Sequence, residues 1–181
     1  MSWYYNKPYV SAAEKAKKLE KKLKQLTKGG YVLSPVKLEG RVIAKTFWGK
    51  AWCENLERYS DLENRLPRGR TYVRNGSVVD LKVAPGSVSA MVNGSALYDV
   101  VMKVEQVSAE HWKAIRTDCA GGIDSLVELL QGKLSKAVME RICEPDKGLF
   151  PKPKENKMSC NCPDYADVCK HIAAVIYGIG A

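Results

Sequence analysis

Apolar positions recur along this chain with two different periods, and the switch between them divides it. From residue 11 to 28 the period is helical. Ala16, Leu19, Leu23 and Leu26 make one narrow stripe, Ser11-Ala-Ala-Glu14 is a capping box ahead of it, and Gly29-Gly30 is a stop behind it. Residues 31–36 and 41–44 read as short extended pieces. A second helix is predicted from Thr46, because Trp48, Trp52, Leu56 and Tyr59 recur at steps of four, four and three. Two tryptophans at that spacing read as core in preference to a base-stacking platform, with Cys53 beside them as a buried free thiol. After Asn75-Gly76, a strong hairpin signal, the period drops to two. Val79, Leu81 and Val83 share a face, Pro85-Gly86 turns the chain, 88–92 is a further strand, Asn93-Gly94 turns again and 97–104 follows. Such regular turns predict an antiparallel meander, and the strand entering it is read over Arg70, Tyr72 and Arg74.

Helical spacing then returns. Ser108 can cap a helix bearing Trp112, Ile115 and Cys119; after Gly121-Gly122, residues 123–130 and 135–143 read as two more helices, stopped by Pro145. Residues 145–157 are rich in Pro, Gly and Lys and have no stripe. Ile172, Ala173, Val175 and Ile176 supply a last helix. The expected fold class is α+β, an antiparallel β-meander with several helices plus a small C-terminal ββα finger. The expected divisions are a basic N-terminal helix (1–30), an α+β body (31–144), a linker (145–157) and a finger (158–181).

At 181 residues and 45% hydrophobic the chain can bury a core. It shows no apolar run of membrane-spanning length and no signal-peptide core, so it reads as soluble and cytoplasmic, with no membrane partner. The net charge of +9 is uneven: residues 1–50 hold 12 Lys/Arg against 3 acids, and residues 51–181 hold 17 of each. Basic character therefore belongs to the N-terminal segment.

Six cysteines change the picture further. Cys53, Cys119 and Cys143 are scattered, whereas Cys160, Cys162, Cys169 and His171 read Cys-x-Cys, six residues, Cys-x-His. Thiolate and imidazole are the ligands tetrahedral zinc prefers, and three Cys with one His fill a closed structural site. In an extended strand i and i+2 share a face, so Cys160 and Cys162 can hold one ion. In a helix i and i+2 lie roughly 200° apart, so Cys169 and His171 have to straddle a helix start. One structural Zn²⁺ per chain is expected. Four protein ligands leave no place for a reactive water, and no phosphate loop, His-Glu-x-x-His or Cys–His nucleophile pair occurs, so the chain is read as no enzyme. Asp164 and Asp167 are candidates for capping the last helix or orienting His171. The other histidine, His111, reads as solvent-facing or capping.

These four positions resemble the SWIM zinc fingers, and Cys-Pro-Asp-Tyr-Ala ahead of Cys-Lys-His is similar to the bacterial members. The stretch from Phe47-Trp-Gly-Lys-Ala-Trp-Cys to Arg65-Leu-Pro-Arg-Gly-Arg-Thr-Tyr-Val-Arg74 also looks like the region upstream of the finger in such proteins. The resemblance implies a DNA- or protein-binding role alongside SWI2/SNF2-type ATPases.

The residues themselves leave the partner open. Lys15, Lys18 and Lys22 on the first helix offer a phosphate-facing surface, but the same pattern suits a solvated helix docked by its leucines, or one held by a partner protein. Arg68, Arg70, Tyr72 and Arg74 combine cations with a stacking ring, against the plainer reading of an exposed strand face beside acids such as Asp80. Lys170, between two ligands, is placed to reach a phosphate. DNA is the first candidate partner, RNA the second. The alternative is an interaction subunit of an ATPase complex without nucleic-acid contact.

Overall fold

The computed structural model describes residues 11–58, 65–120, 134–164 and 166–181. The helix expected over 123–130 lies outside the described residues, as does Tyr59. Helix α1 spans Ala12–Lys28, α2 Phe47–Glu57, α3 Leu66–Arg74, α4 Ala109–Cys119, α5 Lys136–Ile142 and α6 Lys170–Ile179. Four strands, β1 Val78–Ala84, β2 Ser87–Asn93, β3 Leu97–Val104 and β4 Asn156–Cys160, form one antiparallel sheet in the order β1-β2-β3-β4. The fold is α+β.

Local signals set most boundaries. Ser11 and Glu14 form the reciprocal capping box of α1, and Thr46, Ser108 and Ser135 cap α2, α4 and α5 through side-chain oxygens. Pro85 and Gly86 close the β1–β2 turn, with Gly86 at φ +69, where a side chain is disfavoured. His111 caps the turn after α5, its Nε2 lying 2.9 Å from the Lys147 carbonyl.

One inner face of the sheet carries Val88, Ala90, Val92, Val100 and Met102, all buried. Against it lies α6, whose residues from His171 to Gly178 are buried throughout. A helix apolar on every side belongs in a core, and α6 is the centre of this one. Trp52 donates from Nε1 to the Ile176 carbonyl at 2.8 Å and stacks on Trp48, so both tryptophans serve packing.

The strand expected over Arg70–Arg74 is the helix α3. Pro67 sits in its first turn, and Leu66, Gly69 and Val73 recur at helical spacing to face α6. Asn75 is the C-cap and Gly76, at φ +66, is the left-handed stop. Asn-Gly here ends a helix instead of turning a hairpin. The 31–36 segment is not a strand, but it lines the β1 edge through Val36 N–H to the Val78 carbonyl and Leu81 N–H to the Ser34 carbonyl. It also buries Asp80, which accepts from the Tyr31 hydroxyl and the Ser34 N–H at 2.7 Å each. Asp80 is therefore a clamp and not an exposed surface acid.

Candidate metal centre

The centre is assembled by β4 and the start of α6. Cys160 ends β4, opposite Val100 of β3. Asn161 clamps the next bend to β3: its side-chain oxygen accepts from the Asp99 N–H at 2.9 Å and its Nδ2 donates to the Asp99 carboxylate at 3.0 Å. The clamp holds Cys160 and Cys162 on either side of it. Cys169 is the N-cap of α6 and His171 the second residue of that helix, so the pair straddles the helix start as its spacing requires. Among the described residues the finger has one strand, where two were expected. That strand is the fourth of the main sheet, and the finger's helix is the core helix.

The ligand atoms of Cys160, Cys162, Cys169 and His171 lie within 4.8 Å of one another. His171 Nδ1 stands 3.8 Å from the sulfurs of Cys160 and of Cys169. Tetrahedral zinc with Zn–S near 2.3 Å needs sulfur–nitrogen edges of about 3.6 Å, which the cluster nearly meets. The donor set therefore fits one structural zinc, held by three Sγ atoms and His171 Nδ1.

Electrostatics prepare the donors unequally. Burial, then the adjacent Lys170 charge, pulls the His171 imidazole down to about 4, so it is neutral at physiological pH with a lone pair free for a metal. Burial pushes the Cys160 thiol up to about 12. Burial also opposes ionisation of Cys162, but the Asp164 N–H, the neighbouring thiols and Lys170 outweigh it and hold that thiol low. Cys169 is raised by burial, against the pull of the Ile172 and His171 N–H groups at the helix start.

Sequence reasoning missed the walls of the site. Tyr98 stacks on the His171 ring at 4.4 Å and Tyr72 meets it edge-on at 5.4 Å. His171 Nε2 is buried without a hydrogen-bond partner among the described residues, facing Gly94, where a Cβ would stand 2.8 Å away. The Asn93-Gly94 turn was legible, but not that it closes over a metal ligand. Asp164 does not orient His171. It takes a bidentate pair from Arg65, at 2.9 and 3.3 Å.

Of the residues read as a nucleic-acid face, Lys18 and Lys22 are exposed on α1, Lys15 lies on the same helix, and Lys170 is half-buried at the start of α6. Arg70 and Tyr72 do not share a strand face with Arg74. The Arg70 Nε donates to the Tyr177 hydroxyl at 2.8 Å and its guanidinium pairs with Glu57 at 3.2 Å, while Tyr72 packs on His171. Arg68 and Arg74 are exposed.

Among known proteins, residues 143–178 match the SWIM zinc finger family. The chain is 34% identical over 138 residues to "Uncharacterized protein Rv2102" of Mycobacterium tuberculosis (strain ATCC 25618 / H37Rv), a match that covers 75% of this chain and 50% of that protein. The chain thus spans about half the length of the curated relative it matches. No solved structure matches it. No helix among the described residues is long and apolar enough to cross a membrane. With its Cys-x-Cys on the edge of the main sheet and its Cys-x-His at the start of the central helix, the C-terminal segment of this chain is a SWIM zinc finger.

Proposed function

We propose that the chain is a non-enzymatic, zinc-organised module that binds nucleic acid, DNA foremost, as an accessory protein. The observation that carries this reading is α1. Lys17, Lys18, Lys21, Lys22, Lys24 and Lys28 all face solvent, no described side chain of the helix is buried, and Lys24 with Glu20 is its only ion pair among the described residues. A helix so charged and so little packed gains nothing in core burial from its lysines; a phosphate backbone offers them counter-charge. Four protein donors at the metal leave the zinc a folding role, which supports the non-enzymatic part.

A second reading has its own support. Leu19, Leu23 and Leu26 stay half-exposed on α1, which suits an amphipathic helix awaiting a groove on a protein partner, such as a SWI2/SNF2-type ATPase. A salt series with labelled DNA and RNA separates the two. Nucleic-acid binding requires affinity to fall steeply with salt, and Lys18→Glu with Lys22→Glu to flatten that slope by about 2 units. Salt-insensitive or absent binding refutes the nucleic-acid reading and leaves the protein partner.

A further inference from the structure

The chain has eight arginines, and the fold divides them into two sets. Arg58, Arg65, Arg70 and Arg141 each pair with a carboxylate, at 2.9, 2.9, 3.2 and 2.8 Å. Arg41, Arg68, Arg74 and Arg116 have no carboxylate partner among the described residues. Arg116 lies on α4, Arg68 and Arg74 lie on α3, and Arg41 adjoins Arg74. The Arg74 Nε donates to the Arg41 carbonyl at 3.1 Å, which holds those two residues together. Arg68 precedes Arg74 by six positions on α3, about 9 Å along the helix axis.

Among the described residues, nothing covers the face of α3 that carries Arg68 and Arg74. Leu66, Gly69 and Val73 take the core side, while Arg68, Thr71 and Arg74 are exposed, as is Arg41. Exposed guanidinium groups with no carboxylate partner among the described residues raise a positive potential, which an anionic ligand relieves. Helix α3 itself offers the ridge cations but no stacking ring, because Tyr72, its one aromatic residue, is turned inward on His171. Charge without a platform suits a sugar–phosphate backbone better than unstacked bases. Guanidinium forks match phosphate oxygens in pairs. Helix α3 is also held in place by the metal-bearing helix, since Gly69 lies directly against Ala173 and Tyr72 against His171.

We infer that the outer ridge of α3, with Arg68, Arg74 and the adjoining Arg41, is a docking surface for the phosphate backbone of duplex DNA. This rests on the nucleic-acid reading above and adds a second binding surface to α1. The zinc finger's part is to set the angle of the ridge through α6 rather than to touch the DNA.

The test is fluorescence anisotropy of a short labelled duplex across a salt series, using the whole chain loaded with zinc. The R41A/R68A/R74A variant should lower the slope of log K against log salt by about 0.9 for each phosphate no longer neutralised, about 2.7 in all. Zinc content and near-ultraviolet circular dichroism should stay at wild-type values, because all three side chains are exposed. The R41K/R68K/R74K variant should keep the slope, since the point charges remain, and a single strand should bind less tightly than the duplex. If the alanine variant keeps the wild-type slope while K18E/K22E flattens it, α1 alone carries the DNA. The ridge is then refuted and the broader reading stands. If the wild-type chain binds no nucleic acid at any salt, both fall.

Discussion

Replacing Gly69 by alanine sets two effects of opposite sign against each other. Within a helix, alanine is favoured over glycine by about 0.8–1.0 kcal/mol, so α3 taken alone would gain stability. Packing opposes this. A Cβ at position 69 would stand 2.6 Å from the Ala173 Cβ and 2.9 Å from the Ala173 carbonyl carbon. Unstrained carbon contacts lie at about 3.5–4.0 Å, so α3 and α6 have to part by about 1 Å. Because main-chain atoms block the way, no change of rotamer relieves the clash. Overpacking costs about 1–3 kcal/mol, and rigid opposing backbone puts this site at the upper end. After the propensity gain, the net loss is about 2 kcal/mol. In a chain of this size that lowers Tm by about 4–8 °C. Thermal unfolding of the zinc-loaded Gly69→Ala variant, followed by circular dichroism, measures it. A parting of the helices also draws the Tyr72 ring off His171, so the variant should yield its zinc to a chelator more readily. A Tm equal to or above wild type refutes the close α3–α6 packing.

Two further outcomes follow from the centre itself. Elemental analysis should find one zinc per chain, lost in Cys160→Ser. Because β4 and α6 are parts of the main sheet and core, stripping the metal should destabilise the whole fold and not only residues 156–181; an unchanged Tm after chelation would contradict this. Stability should also depend on acid in a defined window. His171 is held at about 4 when folded, against 6.5 as its ordinary value, so the unfolded chain binds the extra proton between those values. In the zinc-free chain the stabilisation is fully present above about pH 6.5 and is lost as pH falls toward 4. Urea midpoints of the zinc-free chain from pH 7 to pH 4.5 report it, and a flat profile through that window would be the wrong result for a buried neutral His171.

Much of the chain was legible because its signals are satisfied within a few residues. Caps at Ser11, Thr46, Ser108 and Ser135 bond the third residue onward, so the sequence names both partners. Pro85-Gly86 fixes its own turn. The four ligands were visible because chelation places them at short, fixed spacings.

What the sequence could not decide are matters in which one residue type serves two geometries. Asn75-Gly76 suits a hairpin turn and a helix stop equally. Arginine and tyrosine at alternate positions suit a strand or the shoulders of a helix. The stripe that would have marked α3 has glycine at its centre, which reads as a breaker until Ala173 is found opposite it. Likewise nothing local says that Asp80 is buried by Tyr31 and Ser34, or that Gly94 stands over a metal ligand. The sequence alone determined the ligands, the caps, the meander and where the charge lies, because each is a short-range match of chemistry to spacing. Tertiary structure decided that the finger's strand completes the sheet, that its helix is the core, and which arginines are left facing water. Those outcomes depend on residues tens of positions apart, and only the packed chain brings them together.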